Sequence, residues 1–109
     1  MPRLPAEAEA GRLAAAGPGR FELAGTVGFG DAARLLAEGD RAFAPLQAVE
    51  VDLARVIRVD SAGLALLIEW SLAARTAGRQ LRYCNVPPAV VSLAGISDVS
   101  ELLSPAAGG

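Results

Sequence analysis

Asp60 and Ser61 are the residues of this chain best placed to do chemistry. They open the run DSAGLALLIEW, Asp60 to Trp70, where a strand and loop give way to a strongly apolar helix. A serine at a helix start accepts a backbone N–H of the first turn, a bond worth roughly 1 kcal/mol. That end of a helix also carries partial positive charge, so its exposed amides tolerate a phosphate there. Phosphorylation would add about −1.5 to −2 charges beside Asp60 and alter any interface covering that point. Ser61 therefore reads as a helix cap and as a candidate contact point or phosphorylation site. Gly63 either admits the close approach of another backbone or is simply a small residue where helix meets sheet.

Other chemistries find little support. The chain has no histidine, which removes histidine-based acid–base catalysis, metal ligation and pH switching. Cys84 is the only cysteine, so neither an intrachain disulfide nor a cysteine-clustered metal site is available. A strand cysteine without histidine reads as a small buried residue. The run GTVGFG has closely spaced glycines, but it lacks the Lys-Ser/Thr ending of a phosphate-binding loop and the GxGxxG spacing. It reads as a flexible turn. Asp40, Glu50, Asp52 and Asp60 are scattered acids, and a polar outward strand face accounts for Glu50 and Asp52. No catalytic set, metal or cofactor is expected, and the chain is read as a non-enzyme.

Composition agrees with a single soluble domain. Among 109 residues, 52% are apolar and 20% charged, which suits one compact core rather than disorder. The net charge is −2 and all ten basic residues are arginines, spread along the chain. A nucleic-acid groove would need a clustered basic surplus. No signal-like pattern and no apolar run of bilayer length occurs. A cytoplasmic location without direct membrane insertion is therefore expected.

The elements that must position Asp60 and Ser61 follow from spacing. Residues 1–10 read as a loose tail. Gly11 to Ala16 and Arg20 to Ala24 read as a hairpin about Gly17-Pro18-Gly19. Gly25 to Gly30 reads as loop, and Asp31 caps a helix to about Glu38 that Gly39 ends. Ala48 to Leu53 alternates as a strand, and Val56 to Val59 continues as an extended loop. The long helix runs from Ser61 to about Ala77 and stops at Gly78. Gln80 to Cys84 is a further strand. Pro87-Pro88 opens a short helix to about Leu93 with Gly95 at its end. Asp98 caps a last turn containing Leu102 and Leu103, and residues 104–109 read as a frayed tail. Strand–helix–strand units imply a partly parallel sheet, and the hairpin adds an antiparallel edge. The expected class is α/β, a mixed sheet with helices packed on it.

At 100° per residue the long helix has two apolar sides. Leu64, Leu67, Ile68 and Ser71 share one. Leu66, Trp70 and Ala73 share the other with Ala62 and Glu69. A helix on a sheet needs one apolar stripe, so the second is either covered by another helix, with Trp70 tucked against it, or is a contact surface for another protein.

Asp60-Ser61-Ala62-Gly63-Leu64, after AVEVDL and before LRYCNV, resembles the corresponding run of a STAS domain, over roughly Gly11 to Leu103. The resemblance implies the anti-anti-sigma-factor-like fold, a mixed sheet of four to five strands with helices on it. The run LALLIEW after Ala62 and the ending NVPPAVVSLAGISDVSELL are most similar to the MlaB-type branch. That branch implies a cytoplasmic subunit that binds the ATPase of the Mla phospholipid ABC transporter, peripheral to the inner membrane, and supports its assembly and activity. The contact is then expected at Asp60, Ser61, Ala62, Gly63, Ala65, Leu66 and Glu69, with Trp70 at its edge. The sigma-regulator branch implies phosphorylation of Ser61 by an anti-sigma factor kinase. Ala62, in place of a second hydroxyl residue, and the glycine-rich GTVGFGD depart from that branch. A nucleotide or lipid sensor is a third class, and homodimerisation through an uncovered apolar stripe is a further possibility.

Overall fold

The structure, a computed structural model, describes residues 10–88 and 90–92. The tails, the remainder of the short helix from Pro88 and the turn expected at Asp98 lie outside the described residues.

Strand β1 (Arg12–Gly17) returns through Pro18-Gly19 into β2 (Arg20–Val27). The turn exploits the positive φ of Gly17 and Gly19. Helix α1 (Ala32–Phe43), β3 (Ala48–Val59), helix α2 (Ser61–Ala77) and β4 (Gln80–Cys84) follow. The sheet order is β1-β2-β3-β4, antiparallel at the hairpin and parallel at the other two junctions. This is the expected mixed α/β sheet with helices on it, four-stranded among the described residues.

One sheet face carries the core. Phe21, Leu23 and Val27 of β2, Val49, Val51 and Leu53 of β3, and Tyr83 of β4 are buried, as the period of two requires. They pack with Leu35 and Phe43 of α1 and with Leu64, Leu66, Leu67 and Trp70 of α2. The opposite face is polar, where Arg20 meets Glu50 at 4.0 Å and Arg55 meets Glu22 at 3.4 Å.

Three boundaries differ from the sequence reading. β2 continues to Val27 rather than yielding to loop at Gly25, because Gly25 and Val27 pair with Val56 and Val59 of β3. Gly25 takes φ 89° there, beside a register shift, as glycine does at a bulge. β3 is likewise one strand to Val59 rather than a strand and an extended loop. α1 runs through Gly39 to Phe43. Gly39 does not end the helix; it makes room, since a Cβ there would overlap the Trp70 indole.

Candidate partner-binding site

The site is built around the N-terminus of α2, and Asp60 rather than Ser61 caps that helix. Asp60 has the extended backbone of a cap (φ −102°, ψ −171°), which aims its carboxylate back at the first turn. Gly63 N–H donates to Asp60 Oδ1 at 2.9 Å. Ser61 is the first helical residue and is exposed. Its hydroxyl is thus not the cap that the sequence suggested, because the residue before it holds the capping geometry.

The second carboxylate oxygen reaches another element. Phe29 N–H donates to Asp60 Oδ2 at 3.1 Å. The approach needs Gly28, where a Cβ would stand 2.6 Å from Asp60 Oδ2. Bonds from the Gly63 and Phe29 amides hold the Asp60 carboxyl below its ordinary value. One ionised side chain therefore fixes the start of α2 to the loop that enters α1.

That loop presents Phe29, which is 86% exposed. Beside it runs an open groove of about 330 Å³, walled by Ala32, Ala33 and Leu36 from α1 and by Ala62, Ala65, Leu66 and Glu69 from α2. Ser61, Ala65 and Glu69 are exposed and Ala62 half-buried, while Leu66 is buried but still reaches the wall.

Two expected contact residues are not offered to a partner. Trp70 is 1% exposed. It packs edge-on to Phe43 with centroids 5.3 Å apart, over Gly39 of α1. The far end of the second apolar stripe is therefore covered by α1. Gly63 is buried against β2 and β3, where a Cβ would overlap Val27 O and meet Val59 Cγ1 at 3.0 Å. It serves helix–sheet packing, not the approach of a foreign backbone. Asp60 acts as an internal tie. Ser61, Ala62, Ala65, Leu66 and Glu69 remain together on one surface.

Phe29 and the α1 wall escaped the sequence reading. The available signal was Gly28-Phe29-Gly30, an aromatic residue between glycines that belongs to no apolar period. No group of three or more histidine, cysteine, aspartate or glutamate residues could hold a metal among the described residues. Burial and the nearby Glu50 and Asp52 push the Cys84 thiol up to about 11, so it stays protonated and unreactive near neutrality.

Comparisons with known proteins bear on the family and the fold. The family model described as the MlaB STAS domain matches residues 11–104. Among curated proteins none matches the sequence significantly. Of solved structures, the anti-sigma factor antagonist SpoIIAA in its unphosphorylated form is similar at TM-score 0.67 and 14% identity, over 86% of this chain and 85% of that one. The phosphorylated form of SpoIIAA, a Bacillus cell fate determinant, gives 0.66 and 13% over 86% and 88%. A sulfate transporter family protein from Wolinella succinogenes gives 0.64 and 23% over 77% and 69%. At these identities the likeness is one of fold.

Proposed function

Because this chain belongs to the MlaB STAS-domain family, whose domains serve protein interaction and regulation, we propose that it is a non-enzymatic subunit of a Mla-type phospholipid ABC transporter. It binds the cytoplasmic ATPase and supports assembly and activity of the complex, and so the maintenance of outer-membrane lipid asymmetry. The location is cytoplasmic, peripheral to the inner membrane through the complex. No helix among the described residues is long and apolar enough to cross a membrane.

The observation that carries this reading is the groove with its exposed aromatic. Phe29 stands at one end, alanines form much of the walls, and the exposed Ser61 precedes the lining residue Ala62. A water-excluding patch with an aromatic anchor is the usual energetic centre of a protein interface. The alternative of an anti-sigma antagonist switched by phosphorylation rests on Ser61 being an exposed hydroxyl at a helix N-terminus.

Co-purification with the ATPase decides between them. Wild type is expected to retain the ATPase, and Phe29→Asp and Ser61→Arg to lose it while melting normally. Normal retention by both folded variants removes this surface from consideration. Phosphate on Ser61 after incubation with an anti-sigma kinase, without ATPase binding, selects the alternative.

A further inference from the structure

The groove also carries a charge requirement. Its walls span about two helical turns, roughly 10 Å from Ala62 to Glu69 at 1.5 Å per residue. Ala32, Ala33, Ala62 and Ala65 line it, so the bulk that fills it must come from the occupant, whose backbone can come close. Phe29 stands at the end marked by Asp60, to which its amide is bonded. Glu69 stands toward the other end of an otherwise apolar surface. It is exposed, and it joins no ion pair among the described residues. Asp31 and Glu38 share Arg34, and Glu22 and Glu50 have Arg55 and Arg20. Asp40 is likewise exposed without an ion pair among the described residues, but it does not line the groove. An apolar occupant would strip water from Glu69 without replacing it, which is costly for a carboxylate.

We infer that the groove accepts one face of a partner helix that lays large aliphatic side chains over the alanines and sets an arginine or lysine against Glu69. The cation lies about two turns along that helix from the side chain that packs on Phe29. This deepens, and rests on, the reading of the groove as the ATPase-docking surface. The apolar walls supply contact area, and Glu69 selects among apolar helices by rejecting those without the cation.

The test measures binding of the full-length chain to the purified ATPase subunit at low and high salt. Glu69→Gln is expected to weaken binding about two- to fivefold and flatten its salt dependence, the scale of a partly exposed pair. Glu69→Lys is expected to weaken it about tenfold or more, because the partner cation then meets a like charge. Exchanging that cation for glutamate should restore binding to Glu69→Lys. Both variants should melt as wild type does.

Wild-type affinity for Glu69→Lys, with binding lost in Phe29→Asp, overturns the ion pair and leaves the docking surface standing. If Phe29→Asp and Ala65→Arg also bind normally, or wild type binds no ATPase, the docking reading falls and the ion pair with it.

Discussion

Helices α1 and α2 are each preceded by an aspartate, and the two do different work. Asp60 is extended and its carboxylate turns onto the first turn of α2. Asp31 has helical dihedrals (φ −115°, ψ −15°) and makes no side-chain cap. Its Oδ2 accepts from Gly11 N–H at 3.2 Å, and its Oδ1 accepts from Arg34 Nη2 at 2.9 Å. Arg34 Nη2 also donates to Gly11 O at 2.7 Å. Asp31 thus ties the entry of β1 to α1, while Asp60 ties the entry of α1 to α2. A residue type favoured at caps does not make a cap; ψ at that residue decides which amides the carboxylate can meet. The adjoining glycines differ in step. Gly63 is wedged under backbone, whereas a Cβ on Gly30 would meet nothing within 4 Å.

The largest expected effect tests that last difference. Gly63→Ala should cost about 3 kcal/mol, since the clash is with backbone that cannot rotate away. Gly30→Ala should be neutral within about 0.5 kcal/mol. Urea unfolding of both variants checks this, and equal costs would erase the distinction between the two helix entries.

Next comes Asp60→Ala, expected to cost about 2 kcal/mol because the Gly63 and Phe29 amides both lose an acceptor. Asp31→Ala should cost about 1 kcal/mol or less, because it removes no helix cap and its pair with Arg34 is an exposed one. Hydrogen exchange of the Phe29 amide should rise in Asp60→Ala and stay unchanged in Asp31→Ala.

Acid titration sharpens the contrast. The folded carboxyl of Asp60 titrates below the unfolded value of 3.8. Its stabilisation is therefore fully present above that value and is lost as pH falls through the folded pKa. Asp60→Asn should make stability less dependent on pH below about 4. Asp52 retains its own share, because Asn85 and the Ala54 amide hold its carboxyl low.

The smallest effect is Ser61→Ala, expected within about 0.5 kcal/mol of wild type. A loss near 1 kcal/mol in thermal unfolding would mean that the serine shares the cap after all.

The sequence was most legible where local signals and tertiary demands agree. α2 starts after Asp60 and stops at Gly78, whose φ of 71° and bonds to the Ala74 and Arg75 carbonyls make a C-terminal glycine cap. The hairpin and β4 follow from turn residues and alternation. Legibility failed where a distant residue decides. Nothing near Gly39 says that an indole from another helix will fill its missing side chain. Nothing near Gly25 says that β3 will hold it in the sheet. At the candidate site, periodicity marked Ala62, Leu66 and Glu69 and the family resemblance added Ala65, but neither could say that α1 covers Trp70 and leaves its neighbours open. Phe29 lies outside any period, and its amide is held by a carboxylate 31 residues away in the sequence.

The fit of the indole over Gly39 also constrains how this chain can vary. The two positions form one volume divided between two helices. Enlarging position 39 first drives a methyl group into the ring, while shrinking position 70 first leaves a cavity worth about 3–5 kcal/mol. Either order passes through a weakened intermediate, so lineages should inherit the pair together, and a relative with a side chain at 39 should carry a smaller residue at 70.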